Sequence, residues 1–176
     1  MGASPCQGIT YLSKEEALRH VFPKSTLIQK ETKVLLTKDQ EIFQKKYDFN
    51  VKEKFWDIYV AKSIETSGAV GESYQTDGYA LILNEIGKEL PITFIVGIDP
   101  KGKVIAVDIM TFRESHGGGV KNKKFLSQYE KKTSQAPLMV GKDIVAISGA
   151  TLSSRAITVG VKKGLAIVDY FFLHKK

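Results

Sequence analysis

The chain has 176 residues, 43% of them hydrophobic and 26% charged, with a formal net charge of +7. That length suits one globular domain with a core of its own. A single cysteine, Cys6, excludes an internal disulfide and a multi-cysteine metal site, and His20, His116 and His174 are far apart in sequence. The most apolar run, 165–173, is broken by Asp169 and falls short of the roughly 20 apolar residues of a membrane helix.

No secretory h-region is visible, and residues 1–12 are expected to be an N-terminal tail or expression remnant ahead of a single domain over 13–176. Ser13-Lys14-Glu15-Glu16 is a capping box, which predicts a helix from Lys14 to about Phe22, stopped by Pro23. Residues 26–36 read as a strand. Thr37-Lys38-Asp39-Gln40 repeats the capping pattern and opens a helix to about Tyr47. The aromatic and β-branched run 55–61 is a strand, with Trp56 in the core. The polar stretch 67–77 is expected as a loop or hairpin turn, and strand character returns over 79–84. Two apolar runs, 92–98 and 103–112, flank Asp99-Pro100-Lys101-Gly102, the composition of a type I turn, and predict a β-hairpin.

Residues 125–132 read as a short helix and 153–173 as a long one. In the long helix Ile157, Val161, Leu165, Val168 and Phe172 form one apolar stripe, and Gly160 and Gly164 allow a close neighbour. The order of elements predicts an α+β domain: an antiparallel sheet with flanking helices and a long C-terminal helix. Basic residues cluster at Lys121, Lys123 and Lys124 and at Lys131 and Lys132. They form either a solvated face or a surface for an anionic ligand, an acidic protein or an anionic membrane. Without an aromatic-interleaved motif, nucleic acid is not an expected partner.

Two short stretches carry the chemistry. The first is Ile147-Ser148-Gly149-Ala150-Thr151-Leu152-Ser153-Ser154, small and hydroxyl-rich, at the start of the long helix. A helix start leaves amides unpaired and carries partial positive charge, so small residues and hydroxyls there suit a phosphate. The other option for the same residues is a plain Ser/Thr N-cap. Thr66-Ser67-Gly68-Ala69 repeats the Ser-Gly-Ala core, but no amphipathic helix follows it. The second stretch is Phe112-Arg113-Glu114-Ser115-His116-Gly117-Gly118-Gly119, whose glycines permit close backbone approach or unusual dihedrals.

Ser148-Gly149-Ala150-Thr151, with Leu152-Ser153-Ser154 and the helix behind it, resembles the signature of FMN-binding domains. Such domains occur in the FMN-carrying subunits of Rnf and sodium-pumping NADH:quinone oxidoreductase complexes and in stand-alone extracytoplasmic redox proteins. Residues 11–18 with Phe22-Pro23, residues 77–80, the Asp99–Gly102 hairpin and Phe112-Arg113-Glu114 also resemble family segments, so the likeness spans nearly the whole chain. The resemblance implies FMN joined by a phosphoester to Thr151, a bond made by a separate flavin transferase. It implies surrounding contacts from Ser148, Gly149, Ala150, Leu152, Ser153 and Ser154. Glu114, Ser115, His116 and Gly117 would lie beside the flavin, and Tyr79 would either stack on it or pack in the core.

The family's usual acid three residues before the motif's Ser is Val145 here, and Asp143 is the nearest substitute. Covalent FMN is therefore the first reading and non-covalent FMN the second. The implied role is an electron carrier between redox protein partners, membrane-bound ones among the candidates, in an extracytoplasmic location, rather than a self-sufficient enzyme. The alternatives are a flavin-dependent reductase subunit acting on a small substrate, or a binding module that lost its flavin with the Val145 change.

Overall fold

The computed structural model describes residues 8–47, 51–65 and 73–173. Its centre is one antiparallel sheet of six strands: β1 (Ile9–Thr10), β2 (Leu27–Val34), β3 (Phe55–Glu65), β4 (Ser73–Ile86), β5 (Pro91–Ile98) and β6 (Val104–Phe112). Their spatial order is β1-β6-β5-β4-β3-β2. The helices are α1 (Lys14–Val21), α2 (Thr37–Tyr47), α3 (Lys123–Leu126) and α4 (Thr151–Val168), the last prolonged by a π turn over Asp169–Leu173. The expected α+β class and long C-terminal helix are both present.

Helices cover both faces of the sheet. On one face α4 lies across β4 and β5, and Ile157, Val161, Leu165 and Val168 are buried with Leu81, Phe94 and Val96. A fully buried side chain of this size contributes roughly 1.5–3 kcal/mol, so this stripe holds the helix to the sheet. Gly160 permits the approach, since a Cβ there would lie 2.4 Å from Cζ of Phe94. On the other face α1 buries Ala17, Leu18 and Val21 against Ala61, Ala80, Ile95 and Met110.

Local signals account for several boundaries. Ser13 and Glu16 close both bonds of the capping box that starts α1. At α2 the reach-back comes from Asp39, which accepts from the Leu36 amide at 3.1 Å, so the helix starts on Thr37 rather than after it. In the β5–β6 turn Gly102 N–H donates to Asp99 O at 3.0 Å, and Asp99 Oδ1 accepts from the amides of Lys101 and Lys103. Trp56 is buried, as expected.

Three expectations need correction. Residues 73–77 are not loop but the start of β4, paired with β3 from Ser73↔Glu65 onward. The polar side chains that suggest a loop are cross-strand partners: Asp77 accepts from Ser63 Oγ at 2.7 Å and from Ser25 Oγ at 2.5 Å. Residues 125–132 are not one helix. A 3-10 turn (Gly118–Lys121), α3 and a second 3-10 turn (Ser127–Tyr129) follow one another. The chain then straightens because Lys131 N–H donates to Val104 O and Val104 N–H to Lys132 O. Ile9 and Thr10, expected within a tail, join the sheet as β1 and pair with Phe112 and Thr111. The Thr66–Ala69 repeat, Cys6 and His174 lie outside the described residues.

Candidate functional site

The two sequence stretches meet at the N-terminal end of α4. Ile147–Ala150 is a tight turn closed by Ala150 N–H to Ile147 O at 2.9 Å. Gly149 holds φ +73 at its third position, where a type II turn needs a positive φ. A Cβ on Gly149 would meet nothing within 4 Å. Its value is therefore conformational, and it leaves the approach to the helix end open.

The helix start is not a plain Ser/Thr cap. Ala150 stands at the N-cap without any side-chain cap bond. The first helical bond is Ser154 N–H to Ala150 O, so the amides of Thr151, Leu152 and Ser153 have no acceptor among the described residues. The hydroxyls divide by direction. Ser154 turns inward, donating to Ala150 O at 2.9 Å and accepting from Ile147 N at 3.3 Å. It braces the turn and faces no ligand. Thr151 and Ser148 are exposed, and Leu152 is 48% exposed. Ser153 is only 3% exposed, yet it lines the hollow and no partner for its hydroxyl is found among the described residues.

The glycine loop forms the facing wall. Gly117 holds φ +84, and a Cβ there would lie 2.6 Å from Ser153 Oγ. A Cβ on Gly119 would lie 2.7 Å from Ile147 Cγ2. The glycines thus let one loop lie against the other. Between them is a shallow hollow of about 230 Å³ lined by Lys88, His116, Gly117, Gly149, Ala150, Thr151, Leu152 and Ser153. His116 Nδ1 is 2.9 Å from Ser115 Oγ.

Glu114 is not among the residues that line this hollow. Its Oε1 accepts from the amides of Glu89 at 2.8 Å and Leu90 at 3.2 Å, which fixes the β4–β5 turn. Burial pushes its carboxyl up, but these amide bonds, with those of Lys88 and its charge, outweigh that and hold it below the usual value. Tyr79 does not line this hollow. It is buried in β4 with its ring 4.6 Å from that of Phe172, beyond the far end of α4. An 18-residue helix is about 27 Å long, which separates Tyr79 from Thr151. Its strand position follows the packing option.

The Asp143 carboxylate has partners of its own. It is held by Lys132 Nζ at 2.9 Å and the amides of Met139 at 2.8 Å and Leu138 at 3.3 Å. Val145 itself is 73% exposed, with its N–H and C=O both bonded to the Gln128 amide. Of the basic cluster, Lys121 donates to Tyr11 OH at 2.7 Å and lies over the Phe112 ring, while Lys132 is bound to Asp143.

Residues 87–166 match the model of the FMN-binding domain family. One subunit of the proton-translocating ferredoxin:NAD(+) oxidoreductase complex of Clostridium ljungdahlii is 30% identical over 155 residues, 84% of this chain and 76% of that protein. The chain belongs to the FMN-binding domain family. A subunit of the Na(+)-translocating ferredoxin:NAD(+) oxidoreductase complex of Acetobacterium woodii is 26% identical over 161 residues, 86% of this chain and 72% of that protein. In solved structures, NqrC of Shewanella oneidensis superposes with a TM-score of 0.52 at 15% identity, covering 88% of this chain and 86% of that one. That likeness shows the shared fold.

The residues of this FMN-binding domain fit the anionic end of the cofactor. Among the described residues, the amides of Thr151, Leu152 and Ser153 have no acceptor, Ser153 Oγ has no partner and the Thr151 residue is exposed, and all three residues line a hollow that no acidic side chain lines. Sequence reasoning missed Lys88, which also lines it. Its only local signal is a cationic residue in the Gly87–Leu90 turn, which says nothing of α4 more than sixty residues on.

Proposed function

We propose that this FMN-binding domain is an electron carrier that holds FMN through a phosphoester to Thr151 Oγ1. The supporting observation is the helix start itself: an exposed Thr151 hydroxyl beside three amides without acceptors among the described residues, with Gly149 leaving the approach clear. FMN supplies the electron chemistry when bound. The protein's part is to hold it. Thr151 Oγ1 would become the ester oxygen, replacing one oxygen substituent on the phosphorus, and the hydroxyl proton would leave with the displaced group. The α4 amides and Ser153 Oγ donate to phosphate oxygens, and the helix end favours their charge. Leu152, His116 and Gly117 line the same hollow, and Ser115 Oγ lies 2.9 Å from His116 Nδ1.

A hollow of about 230 Å³ is below the ~300–1,000 Å³ of enclosing ligand pockets. A flavin ring held from this point stays partly exposed, which suits exchange of electrons with protein partners. Redox proteins, membrane-bound ones among them, are the proposed partners, with a flavin transferase for maturation and an extracytoplasmic location. Among the described residues no helix is long and apolar enough to cross a membrane. One observation favours non-covalent FMN as the second reading: Val145 offers no carboxylate and Asp143 is fully engaged.

Intact-protein mass after co-expression with a flavin transferase separates the two. The expected result is a gain of one FMN less one water in wild type and none in Thr151→Ala. A gain only in Val145→Asp would move the wild-type protein to the non-covalent reading. A gain that persists in Thr151→Ala would refute the assignment of the anchor.

A further inference from the structure

Lys88 stands on the turn between β4 and β5, where Gly87 N–H bonds Leu90 O at 3.0 Å. The turn is held from outside by the end of β6. Glu114 Oε1 takes the amides of Glu89 and Leu90, and Arg113 Nη1 donates to Pro91 O at 3.1 Å and to Thr93 Oγ1 at 2.8 Å. Gly87 completes the fit, since a Cβ there would lie 2.5 Å from Glu114 Oε1. The result is a braced turn that brings a lysine to the hollow at the start of α4.

The charges facing that hollow are uneven. Among the described residues its lining contains Lys88 and His116 and no carboxylate. Lys88 Nζ pairs with Glu89 Oε1 at 3.3 Å, with side chains 62% and 69% exposed. Such an exposed pair is weak and exchanges readily for a doubly charged anion. Independently, Ser153 is 3% exposed, lines the same hollow, and has no partner for its hydroxyl among the described residues.

We propose that Lys88 is the counter-charge for the phosphate group of the flavin at the α4 N-terminus, and that Glu114 is its positioning residue. This rests on the FMN reading above and adds a third wall to the site. Glu114, expected beside the flavin ring, acts instead through the turn that presents Lys88. Ser153 Oγ and the α4 amides meet the phosphate from the helix side, and Lys88 meets it from the sheet side.

The test is titration of flavin-free protein, expressed without a transferase, with FMN and with riboflavin, which lacks the phosphate. Wild type is expected to bind FMN more tightly than riboflavin. Lys88→Gln should weaken FMN about three- to fivefold, the range of one surface charge pair, and leave riboflavin unchanged. Lys88→Arg should keep wild-type affinity. Glu114→Ala should reproduce the selective loss and add nothing in the Lys88→Gln background. Glu114→Gln should retain binding, because its amide oxygen still accepts both N–H groups. Added salt should weaken FMN binding in wild type more than in Lys88→Gln.

Equal FMN affinity in wild type and Lys88→Gln overturns the proposal, as does an equal loss of FMN and riboflavin. A wild type that binds FMN no better than riboflavin, or binds neither, also overturns it. The mass gain after co-expression with a transferase is read separately, so failure of the seat and failure of the Thr151 anchor are distinguishable.

Discussion

Gly117→Ala is the substitution that most directly probes how the two loops are joined. Two costs are set by the structure. Gly117 holds φ +84, and an alanine in the left-handed region costs about 1–2 kcal/mol. Its Cβ would also lie 2.6 Å from Ser153 Oγ, so that hydroxyl must rotate in a residue only 3% exposed. An unfavourable side-chain rotamer costs about 0.5–1.5 kcal/mol. The sum is about 1.5–3.5 kcal/mol. Without the hydroxyl, the nearest remaining atom is Ser153 Cβ at 3.5 Å, which is ordinary contact. Gly117→Ala in a Ser153→Ala background should therefore cost only the conformational part. Gly149→Ala is the matched control, with φ +73 and nothing within 4 Å of the new Cβ. Urea denaturation of the single and double variants gives the coupling energy, expected at about 0.5–1.5 kcal/mol. Additivity within about 0.3 kcal/mol, or a Gly117→Ala cost no greater than that of Gly149→Ala, would refute the argued contact.

Gly160→Ala should destabilise by about 1–3 kcal/mol in the same assay, because its Cβ would lie 2.4 Å from Cζ of the fully buried Phe94. Phe94→Leu in that background should recover part of the loss. Asp143→Asn should cost about 1–2 kcal/mol at neutral pH through loss of the Lys132 pair. Burial pushes the Asp143 carboxyl up, but Lys132 and the amides of Met139 and Leu138 more than offset this and hold it below the usual value. Its stabilisation is thus present above about pH 4 and lost as pH falls through the lowered value, so the wild-type advantage over Asp143→Asn should vanish in acid. Tyr79→Phe should leave FMN loading and affinity unchanged, since its ring packs on Phe172 beyond the far end of α4. Altered loading would show that the two ends of the helix communicate.

Much of the site was legible because it is local. The Ile147–Ser154 stretch places small residues, a helix start and the Thr151 hydroxyl within eight consecutive residues, and the structure keeps them together. The hydroxyls could not be sorted in the same way. Ser153 and Ser154 are neighbours in sequence, yet one lines the hollow and the other braces the turn. A helix turns about 100° per residue, so which hydroxyl faces the ligand depends on what packs against α4. The partners of Glu114 were hidden for a related reason. Its carboxylate has two distant amides to bind, and nothing near it in sequence reveals them.

The sequence by itself determined the α+β class, the hairpin at Asp99–Gly102, the capping box of α1, the apolar stripe of α4 and the likeness to FMN-binding domains. Each depends on residues close enough in the chain to set a local conformation or a periodic face. Tertiary structure alone decided that the Gly117 loop lies on the Ile147–Ala150 turn, that residues 73–77 are strand, that Tyr79 is core and that Lys88 lines the hollow. Those outcomes depend on strand register and on which backbone groups remain unpaired once the sheet has closed. They are set by contacts between residues far apart in the chain, and a local pattern carries no record of them.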